Sequence, residues 1–258
     1  MRLKTAFTRK DIIIVLVCLI FLVINVGAIS NGGRRRSKRL LCLTNLKQLT
    51  LAWTQFAEDN DGFIINGAAG IERPGEPPWV GSFFTNGPEA AIKSGALWPY
   101  CQELKLYRCP IGKPGELLNY AIVDGMNGLQ RSGTIEGVHW IKNMTQILKP
   151  AERLVFIDQG WITPDSYAVY FNRELWWDNP PARHGGGTSV SFADGHSVWH
   201  RWKGKWTVAK GTSLYYTGPS HPGEPIDGEF IPATSNDYHD LYWTQIGCWG
   251  ELGYLPTY

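Results

Sequence analysis

The sequence predicts an α+β protein: a long N-terminal hydrophobic helix packed on an antiparallel β-sheet body with long loops. Three observations predict it. Residues 12–29 read IIIVLVCLIFLVINVGAI, without a charge. Apolar residues then recur at helical steps through Leu43, Leu46, Leu49, Trp53 and Phe56. Further on, short apolar and alternating segments are separated by Gly- and Pro-rich turns, the pattern of an antiparallel sheet.

The first 39 residues hold nine basic side chains and one acid, Asp11. Subtracting these from the 25 basic and 23 acidic groups of the whole chain leaves 16 against 22, so the remainder is acidic. The basic excess brackets an apolar run, which argues against nucleic acid as a partner and for a lipid bilayer. Eighteen residues of helix rise about 27 Å, close to the roughly 30 Å of a bilayer's hydrocarbon core. The expected organisation is a short basic leader-like segment at 1–11, a single-pass transmembrane helix at 12–29, an amphipathic stalk helix at 30–61, and an exported globular body at 62–258. Ala28 and Ser30 before Asn31 also suit a signal-peptide cleavage site, the alternative to a retained anchor.

In the body, residues 63–95 are rich in Gly and Pro and read as a surface loop. Asn119–Val123, Thr134–Ile141 and Leu154–Ile157 read as strands, the last at the centre of a sheet. Asp194-Gly195 marks a hairpin within Thr188–Trp202. With Ala193 opposite His196, Val190, Phe192, Ser197 and Trp199 share one face; Ser189, Ser191, His196, Val198 and His200 share the other. Thr234 or Ser235, with Asp237 in the first turn, starts a helix that runs to Gly247.

Several segments resemble type IV pilin-like proteins, including the pseudopilins of type II secretion systems. Phe7-Thr8 after Ala6, with an acidic residue at Asp11 and an apolar helix following, is similar to their N-terminal processing region. Ala6 stands where the family has Gly, and Asp11 where it has Glu. Cys42-Leu43-Thr44-Asn45-Leu46-Lys47-Gln48 and the Glu58–Gly62 turn resemble the family's continuation. His184, nine intervening residues and then Asp194-Gly195 is similar to the C-terminal motif of a prepilin-processing-associated group, as is the tail from Asp240-Leu241-Tyr242-Trp243 to Trp249-Gly250. The resemblance touches roughly half the chain. It implies a non-enzymatic structural subunit of a type II secretion or pilus-like assembly in the bacterial inner membrane. Its partners would be other pilin-like subunits or secretion machinery. Cleavage would fall between Ala6 and Phe7, and Asp11 would act in assembly.

Other chemistry is thinner. His184, Asp194, His196 and His200, with Asp158, are candidate metal ligands for a hydrolase built on His184 and Asp194. His196 and His200, however, stand about 13 Å apart along a strand, too far for one ion. Asp59 and Asp61 before Gly62 match part of a calcium loop that lacks its twelfth-position Glu. Cys101 and Cys109 are spaced for a short-loop disulfide in an exported body. Twelve Trp and eleven Tyr leave room for an aromatic glycan- or partner-binding surface as the alternative function.

Overall fold

The computed structural model describes residues 8–28, 32–129, 140–160, 165–217 and 230–258, without the side chains of 24–28, 83–86 and 213–217. The chain divides into two compact units, Met1–Lys38 and Arg39–Tyr258.

The first unit contains helix α1, Arg9–Ala28. Thr8 precedes it, and its backbone N–H and hydroxyl donate to the Asp11 carboxylate at 2.8 and 2.6 Å. The first-turn acid thus satisfies a helix-end donor. Those bonds hold the Asp11 carboxyl below its usual range. The expected processing site at Ala6 and Phe7 lies outside the described residues.

The transmembrane expectation is corrected here. Among the described residues, no helix is long and apolar enough to cross a membrane. Helix α1 has 20 residues, of which the first three, Arg9, Lys10 and Asp11, are charged. The rest rises about 26 Å, short of the roughly 30 Å of a hydrocarbon core. The single-pass helix at 12–29 and the inner-membrane placement drawn from it are withdrawn. Nor is one long apolar N-terminal helix found among the described residues, where α1 spans Arg9–Ala28 and α2 spans Gly32–Asp59.

The larger unit is α+β, with a four-stranded antiparallel sheet in the order β1 (Tyr120–Ile122), β2 (Leu154–Asp158), β3 (Gly187–Phe192), β4 (Ser197–Arg201). The Leu154–Ile157 run is the buried inner strand that its composition predicts. The expected strand at Thr134–Ile141 lies mostly outside the described residues.

One sheet face is covered by α2. Its buried side chains, Cys42, Leu46, Leu49, Trp53 and Ala57, recur every three or four positions. Thr50 Oγ1 donates to Ser191 Oγ on β3 at 2.6 Å, and Ser197 Oγ on β4 donates to the Leu43 carbonyl at 2.9 Å. Phe156 presents its ring on this face to Trp79, 5.4 Å away edge-on, and Trp79 stacks on Tyr107.

The other face meets α5, Ser235–Trp249. As predicted, Thr234 caps it reciprocally with Asp237: the Thr234 N–H and hydroxyl donate to the Asp237 carboxylate at 3.0 and 2.6 Å. His200 on β4 stacks on Trp243 of α5 with ring centroids 3.6 Å apart. Gly247 allows the helix to press against Leu154, where a Cβ would collide with the leucine. Between β4 and α5 comes α4, Lys205–Thr217, tied to α5 by Thr207, whose N–H and hydroxyl both donate to Asp237 at 3.0 Å.

Two local expectations change. In the β3–β4 hairpin, Ser191 pairs with Ser197 and the Phe192 N–H donates to the His196 carbonyl, one residue out from the expected register. The loop holds three residues, and Gly195 at φ 90° closes it in the left-handed region. Asp-Gly is therefore not a two-residue turn, and every cross-strand partner shifts accordingly. The Gly- and Pro-rich stretch 63–95 is not a plain surface loop: Ile65, Trp79 and Val80 are wholly buried and α3 spans Phe83–Ser94. Its backbone is tied internally by Asn66, which accepts from Ala68 N–H and from Arg73 and donates to the carbonyls of Ile71 and Glu76.

Candidate functional site

Four side chains that carry metal-ligand atoms converge between α2 and the sheet: Cys42, Cys109, Asp158 and His184. Their ligand atoms all lie within 4.8 Å of one another. Each comes from a different segment. Cys42 is at the N-terminal end of the buried stripe of α2. Asp158 closes β2 on the same sheet face as Tyr120, its cross-strand partner on β1. Cys109 follows the short 3₁₀ turn Leu104–Tyr107 and is fastened by Asn119, whose Oδ1 accepts the Cys109 N–H at 3.0 Å.

His184 sits in the turn that enters β3. Arg183 bridges to Gly187, and His184 itself holds φ 54°, followed by Gly185 and Gly186 at φ 95° and 89°. A non-glycine residue in the left-handed region is uncommon and persists only where its surroundings fix it. Here the consequence is that the imidazole turns back beneath α2.

The contacts form a connected set. Cys42 Sγ donates to Asp158 Oδ2 at 3.3 Å, His184 Nε2 lies 3.5 Å from the same oxygen, and Cys109 Sγ is 3.2 Å from His184 Nε2. Around them, Tyr120 Oη donates to Cys42 Sγ at 3.4 Å and Arg183 Nε lies 3.0 Å from Asp158 Oδ1. The Arg183 guanidinium passes Gly160, where any Cβ would strike it. Asp158 is 0% exposed and the His184 side chain 2%.

Electrostatics differ across the set. Burial works against the Asp158 carboxylate, but Arg183 and His184 outweigh it and hold the group below its usual range. Burial opposes the His184 imidazolium, yet Asp158 and Cys109 raise it to about 9. For Cys109, burial is overcome by the Cys42 and His184 hydrogen bonds and the Arg183 charge, bringing the thiol down to about 7. Burial, the Cys109 contact and the Asp158 charge push Cys42 well up. A thiolate at Cys109, an imidazolium at His184 and a carboxylate at Asp158 can therefore coexist near neutral pH. Two sulfurs, one imidazole and one carboxylate are a donor set for a borderline-soft divalent ion.

The motif residues do not meet. His184 lies before β3 and Asp194-Gly195 after it, so the nine-residue spacing is that of a turn plus a strand, whose ends stand on the order of 20 Å apart. Asp194 instead binds His196, with Nδ1 2.5 Å from Oδ1, at the hairpin tip. A hydrolytic pair of His184 and Asp194 is thus not assembled, nor does His196 reach His184. Asp59 and Asp61 end α2 in a turn in which the Gly62 N–H donates to the Ala57 carbonyl, and no third metal-ligand side chain joins them among the described residues. The Cys101–Cys109 disulfide is not formed. Cys101 Sγ lies 3.0 Å from Tyr107 Oη, Cys109 faces His184, and all five cysteines are free.

Of the tetrad, His184 and Asp158 figure among the metal-ligand candidates of the sequence; Cys109 figures there only as a disulfide candidate, and Cys42 not as a site residue. One signal for Cys42 is present in the sequence. Stepping back four residues from Leu46 along the stripe lands on Cys42 rather than on Leu43, placing the sulfur on the buried face. The aromatic surface expected for glycan binding is absent from the described tryptophans, none of which is exposed; Trp79 and Trp176 are fully buried. No protein-family model, curated protein or solved structure matches the chain.

Proposed function

We infer that this chain is a non-enzymatic, pseudopilin-like structural subunit of a type II secretion or pilus-like assembly, joined to other subunits through its N-terminal helix. The observation that carries this reading is the surface of α1. The large apolar side chains from Ile12 to Val23 are between 48% and 69% exposed, on every side of the helix. A helix that is apolar all round needs cover all round, which a bundle of like helices provides. Resemblance to pilin-like N-terminal regions supports the same role, with α1 and the start of α2 as the assembly stalk.

Cys18 lies exposed on α1, whereas Cys42, Cys101, Cys109 and Cys248 are buried. A bis-maleimide on the dilute full chain should therefore join copies in pairs through Cys18, giving a covalent dimer. Leu16→Asp with Leu19→Asp should abolish that dimer without changing the body's near-ultraviolet circular dichroism. A full chain that sediments as a monomer and does not cross-link would refute the assignment.

A further inference from the structure

We propose that Cys42, Cys109, Asp158 and His184 are the four ligands of a structural zinc ion. The inference stands apart from the assembly role and rests on the geometry beneath α2. An ion with bonds of about 2.3 Å to sulfur and about 2.0–2.1 Å to nitrogen and oxygen, arranged tetrahedrally, spaces its ligand atoms roughly 3.3–3.8 Å apart. The separations in the structure are 3.3 Å from Cys42 Sγ to Asp158 Oδ2, 3.2 Å from Cys109 Sγ to His184 Nε2 and 3.5 Å from His184 Nε2 to Asp158 Oδ2. These three pairs reach zinc spacing with shifts of a few tenths of an ångström, and the other pairs lie within 4.8 Å.

Charge balances as well. Two thiolates and a carboxylate against a divalent ion leave one negative charge, and Arg183 at 3.0 Å from Asp158 Oδ1 supplies the matching positive one. A buried site that closes without net charge avoids the desolvation cost of an unpaired ion. Binding releases the remaining protons of the two thiols and of His184 to solvent. Tyr120 Oη to Cys42 Sγ and Arg183 to Asp158 are the outer contacts that orient metal ligands.

All four positions belong to the protein and the cage is closed to solvent, the character of a structural rather than a catalytic zinc. Its effect would be to fasten α2, the Cys109 segment, β2 and the turn before β3 to one point. It also gives the left-handed backbone of His184 a reason to persist. A disulfide between Cys42 and Cys109 would use only two of the four converging groups and would need an oxidant.

The test is metal analysis of the full chain purified under reducing conditions without chelating resin, followed by zinc removal and titration with zinc or cobalt alone. The expected result is about one zinc per chain. Cobalt should give the visible bands of a tetrahedral site with thiolate charge transfer. Cys42→Ser and His184→Asn should each lower bound zinc at least about tenfold; asparagine is chosen because it tolerates the left-handed backbone. The cobalt spectrum of the unsubstituted chain does not depend on whether those variants fold. A reduced chain that takes up neither metal stoichiometrically would overturn the proposal. So would zinc retained by both variants, or a Cys42–Cys109 disulfide in metal-free protein.

Discussion

Cys109 Sγ lies 3.2 Å from His184 Nε2 across 75 positions of sequence. The contact exists because two loops, one held by Asn119 and one turned by Gly185 and Gly186, meet against the face of the sheet that α2 covers. Beside it, Asp158 binds Arg183 with both side chains almost wholly buried.

Asp158→Asn should therefore be costly even with no metal present. It leaves the Arg183 guanidinium buried without its counter-charge, a loss of about 3–5 kcal/mol. Denaturant unfolding in a chelator isolates this effect. Arg183→Met alone should also destabilise, and the double variant should lose at least about 1 kcal/mol less than the two single losses added together. Additive losses would show that the pair is not coupled.

Much of the fold is legible in the sequence, and what is not has a physical cause in each case. Leu154–Ile157 announces an inner strand because both its faces are buried. Thr234 with Asp237 announces α5 because capping is local chemistry. The β3–β4 register fails by one residue because Gly195 adds a left-handed third residue to the loop, which Asp-Gly composition does not reveal. The stretch 63–95 is misread because Gly and Pro mark turns, while burial of Trp79 and Ile65 depends on packing far along the chain. Helix α1 is legible as helix, but no described helix is long and apolar enough to cross a membrane. The tetrad has no local spacing at all, so Asp158 and His184 stand out only as titratable residues and Cys42 only as a position on a stripe.

Gly195 offers a direct test of the hairpin. Open space surrounds the position a Cβ would occupy, so Gly195→Ala reads the backbone alone. At φ 90° alanine should cost about 1–2 kcal/mol, and Gly195→Asn less, because asparagine tolerates positive φ. Equal stability of glycine and alanine in thermal unfolding would contradict the three-residue loop.

His200 should give the body an acid-sensitive component. Burial, with the nearby Lys203 charge, depresses its folded value from 6.5 to about 4. The unfolded chain therefore takes up this proton first as pH falls. The contribution is fully present above about pH 6.5 and is lost progressively towards pH 4. Its size is on the order of 1 kcal/mol once the ring's partial exposure is allowed for. His200→Phe keeps the stack on Trp243 and should flatten the loss of stability between pH 7 and pH 5. Asp237 and Asp240 on α5 titrate in both proteins and cancel in the comparison. An unchanged pH profile in the variant would show that His200 is not the group responsible.

The most direct test of the buried tetrad is zinc X-ray absorption on the purified full chain. The expected shell is two sulfurs at about 2.3 Å and two nitrogen or oxygen atoms at about 2.0–2.1 Å, with one sulfur lost in Cys42→Ser. A shell of nitrogen and oxygen alone, or one unchanged by Cys42→Ser, would contradict it.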